Sequence, residues 1–135
     1  MVAQTGKDNL IKIKKEVLKK ICSTLKKYHY ETGGIIGTDE NGVISAFQFD
    51  KITAPRLYEY CPNTMFLDNI INNEWAKSDI NFIGFVHSHL NNAVLSPQDI
   101  KYARKILAEN DSIKEIVIGV INLNANNNIK WYMIN

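Results

Sequence analysis

The chain contains two cysteines in 135 residues, Cys22 and Cys61, and they form no C-x-x-C pair. This excludes a disulfide-stapled scaffold and a closed cysteine zinc module, and it points to a reducing, cytoplasmic setting. Three prolines and seven glycines are too few for a collagen-like or low-complexity protein. No apolar run approaches the roughly 20 residues of a membrane span. The start, Met1-Val2-Ala3-Gln4-Thr5-Gly6, has neither a basic head nor an apolar signal core. Charge of one sign is also scarce. A formal net charge of +2 gives little general attraction for nucleic acid, so the lysines at 14, 15, 19, 20, 26 and 27 read as the solvated face of a helix. H-E-x-x-H, G-x-G-x-x-G and G-K-[ST] are all missing, so Gly33-Gly34-x-x-Gly37 is better explained as backbone room than as a phosphate cradle.

What is present fits one compact domain over residues 1–135, with 1–8 expected to be disordered. A chain of this length buries about two thirds of its unfolded surface, and 45% hydrophobic residues supply one core. Residues 10–13 suggest a short edge strand. Val17, Leu18, Ile21 and Leu25 recur at helical spacing. Asn41-Gly42 between apolar runs at 35–37 and 43–49 predicts a hairpin. A second helix after Pro62 carries Phe66, Leu67, Ile70, Ile71 and Trp75. A third from Pro97 carries Ile100, Ala103, Ile106 and Leu107, and apolar runs at 116–121 and 129–134 read as a final strand pair.

The chemistry concentrates around His87-Ser88-His89, which ends the apolar strand 82–89. Side chains two apart on a strand share a face, about 6 to 7 Å between Cβ atoms, so His87 and His89 can reach one metal ion while Ser88 points away. Ser96-Pro97-Gln98-Asp99 reads as a helix start that could aim Asp99 at the same point. A plain capping box also explains S-x-x-D without metal, but the histidine pair just upstream favours the ligand reading. Two histidines and one aspartate leave a coordination position for water, as a catalytic zinc requires. The proton then needs a carboxylate, and Glu31, just before Thr32-Gly33-Gly34-Ile35-Ile36-Gly37, is the candidate. His29 between Tyr28 and Tyr30 reads as a surface residue, and Cys61 beside Pro62 as a loop thiol with no base to activate it.

Taken together, Glu31 before G-G-I-I-G, then H-S-H, then S-x-x-D resembles the JAMM (MPN+) zinc metallopeptidase family over nearly the whole chain. Two positions depart from the family pattern: Leu90 stands where proline is usual, and six residues, 90–95, separate His89 from Ser96 where seven are common. The resemblance implies an α+β fold, a mixed curved sheet flanked by helices with cytidine-deaminase-like layering. It implies one Zn2+ on His87, His89 and Asp99, with Glu31 as general acid/base and Ser96 supporting the oxyanion. It further implies hydrolysis of an amide or isopeptide bond at the C-terminal tail of a ubiquitin-like or sulfur-carrier protein. A non-catalytic MPN-like binding module and a DNA-repair-associated relative are the alternatives. The irregular stretch 54–62, with Arg56 and Tyr58, is the candidate grip on a substrate tail.

Overall fold

The computed structural model describes residues 2–4, 11–50, 62–125 and 128–135. The elements are β1 (Val2–Gln4), α1 (Lys15–Leu25), β2 (Gly33–Thr38), β3 (Ile44–Phe49), α2 (Thr64–Asn69, continuing as a π-helical turn over Ile70–Trp75), β4 (Asn81–His89), α3 (Pro97–Glu109), β5 (Ile116–Asn122) and β6 (Ile129–Ile134). This is an α+β domain built on one six-stranded mixed sheet in the order β1-β6-β5-β4-β2-β3. Only β4 and β5 run parallel, because α3 makes the long crossover between them that parallel neighbours require. All other neighbours are antiparallel.

Two core clusters form, one on each face of the sheet. The α1 face buries Val17, Ile21 and Leu25 against Ile36, Phe47, Val86, Val117 and Ile121. The opposite face packs Leu67, Ile70, Trp75 and Ala103 against Ile35, Phe85, Ile118, Val120 and Tyr132. Alternation along β4 therefore decides which helices see each histidine. Phe85, two residues before His87, belongs to the α2/α3 face, so His87 and His89 project there. A register shift between Ile36 and Gly37 moves the pairing from Gly84 to Phe82 and leaves Ile83 as the extra residue. This bulge puts Phe82 on the same face as Phe85, where their rings meet edge to face.

Several expectations are revised. Residues 2–4, inside the stretch expected to be disordered, pair with β6 from Val2↔Ile134 to Gln4↔Tyr132, because the outer edge of β6 presents backbone groups that a further strand can satisfy. The edge strand expected at 10–13 shrinks to one parallel bridge, Ile13↔Ile44, and Leu10 lies outside the described residues. The second helix changes to a π turn, which brings Ile70 and Trp75, five apart, to the same buried side. The hairpin turn has the expected chemistry: Gly42 adopts φ 76°, and Asp39 Oδ1 accepts from the N–H groups of Asn41 and Val43.

At Gly84 the backbones of β4 and β5 approach so closely that an added Cβ would lie 1.7 Å from the Val117 carbonyl oxygen. Gly84→Ala must push the two strands apart at the start of their parallel ladder. We expect a loss of about 3 kcal/mol, at the upper end of overpacking costs, read as a lowered denaturation midpoint in urea.

Candidate metal centre

The site begins where β4 ends. His87 and His89 are 3% and 8% exposed, on the face covered by α2 and α3. Ser96 caps α3: its Oγ accepts from the Asp99 N–H at 3.1 Å, and its own N–H donates to Asp99 Oδ2 at 2.9 Å. The reciprocal bonds form a complete capping box. The same Asp99 Oδ2 lies 3.3 Å from His87 Nε2 and 3.6 Å from His89 Nε2, while the two Nε2 atoms are 3.0 Å apart. Capping and metal ligation, alternatives in the sequence, are thus compatible in one side chain. The cap fixes the carboxylate in the orientation that faces the histidines.

These three atoms fit a small divalent cation. Ligands at about 2.0 to 2.1 Å on a tetrahedral zinc lie about 3.3 Å from one another, close to the observed triangle. Two imidazole nitrogens and one carboxylate oxygen also form a donor set that suits zinc, and the three residues are the metal-capable cluster among those described. The triangle opens into a cavity of about 770 Å³ lined in part by Glu31, Pro62, Phe85, Leu90, Asn92, Ser96 and Tyr102. All five residues singled out from sequence, Glu31, His87, His89, Ser96 and Asp99, therefore border one space. Arg56, Tyr58 and Cys61 lie outside the described residues.

Electrostatics sharpen the picture. Burial would raise the Asp99 carboxyl, but bonds with His87 and His89 and the Ser96 N–H outweigh it and hold the group well below the usual carboxylate range. Burial would lower His89, but Asp99, Asn92 and Glu31 outweigh it and raise its pKa. Burial raises Glu31 despite the opposing influence of His89, His87 and the Leu90 backbone N–H. That last influence depends on residue 90 not being proline, which has no N–H to give.

These shifts set the pH dependence of the metal-free protein. His89 contributes stability that is present below its ordinary value of 6.5 and lost as pH rises through its raised folded pKa. Glu31, also raised, loses its contribution as pH rises above its ordinary value of 4.5. Asp99 acts in the opposite sense, contributing above its ordinary value of 3.8 and losing that contribution as pH falls through its depressed pKa. Chelator-treated protein is expected to melt highest in mildly acidic buffer and progressively lower above neutrality, measured by thermal scans across pH. A melting temperature that climbs steadily from pH 5 to pH 8 would contradict these assignments.

Three contributors escaped the sequence reading. Asn92 Oδ1 lies 3.1 Å from His89 Nδ1 and also accepts from the Val94 N–H, so the His89 proton sits on Nδ1 and Nε2 is left to coordinate. Asn124 donates to the Leu90 carbonyl and to Asn91 Oδ1, and the Tyr132 hydroxyl donates to the Ala93 carbonyl at 2.8 Å. The six-residue loop 90–95 is therefore anchored from the β5–β6 turn and from β6. The Asn91-Asn92 doublet was the available signal for part of this, but its partners are remote in sequence. Asn92→Leu is expected to weaken metal affinity about 10- to 100-fold, as loss of a histidine's orienting partner typically does, measured by competition with a chromophoric chelator.

The sequence matches no protein-family model and no curated protein. Solved structures do resemble it. A protein of Desulfitobacterium hafniense known in solution aligns over 93% of this chain and 85% of its own, with TM-score 0.66 and 16% identity. A JAB1/MPN domain protein from Archaeoglobus fulgidus aligns over 92% of this chain and 88% of its own, with TM-score 0.54 and 18% identity. The fold is MPN-like. At these identities the likeness extends to the fold and no further, so what the MPN-like domain does must be argued from its own residues. Lys20 on α1 and Lys26 at its C-cap donate to the carbonyls of Phe47 and Ala125. No described helix is long and apolar enough to cross a membrane.

Proposed function

We propose that this MPN-like domain is a JAMM-type zinc hydrolase that cleaves an amide or isopeptide bond at the C-terminal tail of a ubiquitin-like or sulfur-carrier protein. The observation that carries this reading is the triangle of His87 Nε2, His89 Nε2 and Asp99 Oδ2, with sides of 3.0 to 3.6 Å, in a cavity shared with Glu31 and Ser96. A non-catalytic module has no need of an open three-donor set with a partly desolvated carboxylate beside it.

Zinc bound to this triangle supplies a Lewis acid and water activation near neutral pH. Glu31 takes the proton of the attacking water and returns it to the leaving amine. Burial raises its pKa above the usual carboxylate value, which makes the carboxylate a stronger base for the first half of that shuttle. The Ser96 oxygen accepts from the Asp99 N–H, so the Ser96 hydroxyl proton remains to be donated to the developing oxyanion. Asn92 keeps His89 in the coordinating tautomer throughout.

A cavity of about 770 Å³ borders the triangle, and residues 54–62, with Arg56 and Tyr58, are the proposed grip on a substrate tail. The test is a panel of ubiquitin-like fusions bearing Gly-Gly or bulky residues before the scissile bond. These are assayed with zinc-loaded wild type and with Arg56→Ala plus Tyr58→Ala. Selective cleavage after glycine, reduced in the double variant, is expected. Equal cleavage of both tails, or no change in the double variant, refutes the specificity. No cleavage of any fusion refutes the substrate class.

A further inference from the structure

Ser88, between the two histidines, points away from the cavity and is fully buried on the α1 side of the sheet. Its hydroxyl is nonetheless tied to the residue next to Glu31. The Thr32 N–H donates to Ser88 Oγ at 3.0 Å, Ser88 Oγ lies 3.3 Å from the Thr32 carbonyl, and the Ser88 N–H donates to that same carbonyl at 2.9 Å. The β2–β4 register runs Gly34↔Val86 and Gly33↔His87, so Thr32 and Ser88 are the next pair. An antiparallel pair of this type exchanges two backbone bonds. Here one of the two is made by the serine side chain in place of its own carbonyl. The ladder therefore closes one residue before Glu31 on a side-chain acceptor, and the chain enters the cavity from that anchor.

Glu31 lines the cavity beside His87, His89 and Leu90. Ser88 directly precedes His89, so the backbone next to Glu31 is fixed to the segment that carries the metal donors. Thr32 is itself 1% exposed, which means that water cannot replace the Ser88 hydroxyl if it is removed.

We propose that Ser88 is a positioning residue, which sets Glu31 against the His87–His89 pair by clamping both backbone groups of Thr32. The inference rests on the hydrolase reading for its catalytic consequence, but its structural part can be measured without turnover. In Ser88→Ala, the Thr32 amide should exchange about 10- to 100-fold faster with solvent, because it loses its acceptor. Amides at 34–37 should keep their protection and metal stoichiometry should stay at one. If fusion cleavage is present, kcat should fall about 10- to 100-fold with KM within about threefold. Ser88→Thr keeps a hydroxyl in a strand, where a β-branched residue is favoured, and should restore the Thr32 amide and kcat.

Faster exchange at Thr32 with wild-type kcat in Ser88→Ala would overturn the proposal, since Ser88 would then only close the sheet. Unchanged exchange at Thr32 would overturn it as well. Wild-type protein that cleaves no substrate, with Thr32 exchange faster in Ser88→Ala and slowed again in Ser88→Thr, would sustain the clamp on Thr32 while removing the hydrolase reading.

Discussion

Asp99→Ala is expected to empty the metal site and abolish turnover together. Asp99 Oδ2 is the negatively charged corner of the triangle, 3.3 Å and 3.6 Å from the two histidine nitrogens. Without it two neutral imidazoles remain, and the affinity loss should exceed the ~10- to 100-fold typical of losing an orienting contact. The same substitution removes the acceptor for the Ser96 N–H and weakens the start of α3 by about 1 kcal/mol. Asp99→Asn separates the two effects, because an amide oxygen can still cap the helix but brings no charge to the metal. The expected pattern is loss of zinc in both variants, with melting temperature lowered mainly in Asp99→Ala. Metal analysis after gel filtration checks it. Full zinc occupancy in both Asp99→Ala and His89→Ala would show that the metal, if any, binds elsewhere.

Glu31→Gln is the counterpart that spares binding. The amide has nearly the same volume and Glu31 is not among the three donors of the triangle, so zinc occupancy and melting behaviour should stay close to wild type. It can neither take a proton from water nor return one to an amine. The expected fall in kcat is on the order of 10² to 10⁴, the range that general acid–base groups contribute. Near wild-type turnover in this variant would remove Glu31 from the mechanism. Loss of zinc would instead make it a ligand.

The local signals in the chain were readable because each depended on near neighbours. Ile129–Ile134 formed over the expected residues, and the 116–121 strand gained only Asn122, since both are short apolar segments rich in β-branched and aromatic residues. Pro97 after Ser96 marked the start of α3 because proline at the first helical position and serine at the cap need only the backbone of that turn. The histidine pair was legible for the same reason: residues two apart on a strand share a face wherever the strand lies.

Features that required a partner far along the chain were not readable. Ser88 looked like a spacer until β2 was laid beside β4, which brought Thr32, 56 residues away, onto its hydroxyl. The bulge at Ile83 interrupts the alternation that a pattern search assumes, and only the shifted pairing between Ile36 and Gly37 accounts for Phe82 and Phe85 on one face. The π turn over Ile70–Trp75 likewise departs from the 3.6-residue period on which the helix was recognised.

By itself the sequence determined the donor types, their order and the strand and helix that carry them, because periodicity and capping are properties of a few consecutive residues. Tertiary structure alone decided that the Asp99 oxygen engaged in the α3 cap also faces both histidines, and that Glu31 borders the same cavity. Those outcomes depend on the β4–α3–β5 crossover and the β2–β4 pairing, where chain segments tens of residues apart are fixed by hydrogen bonds and burial on two faces of one sheet.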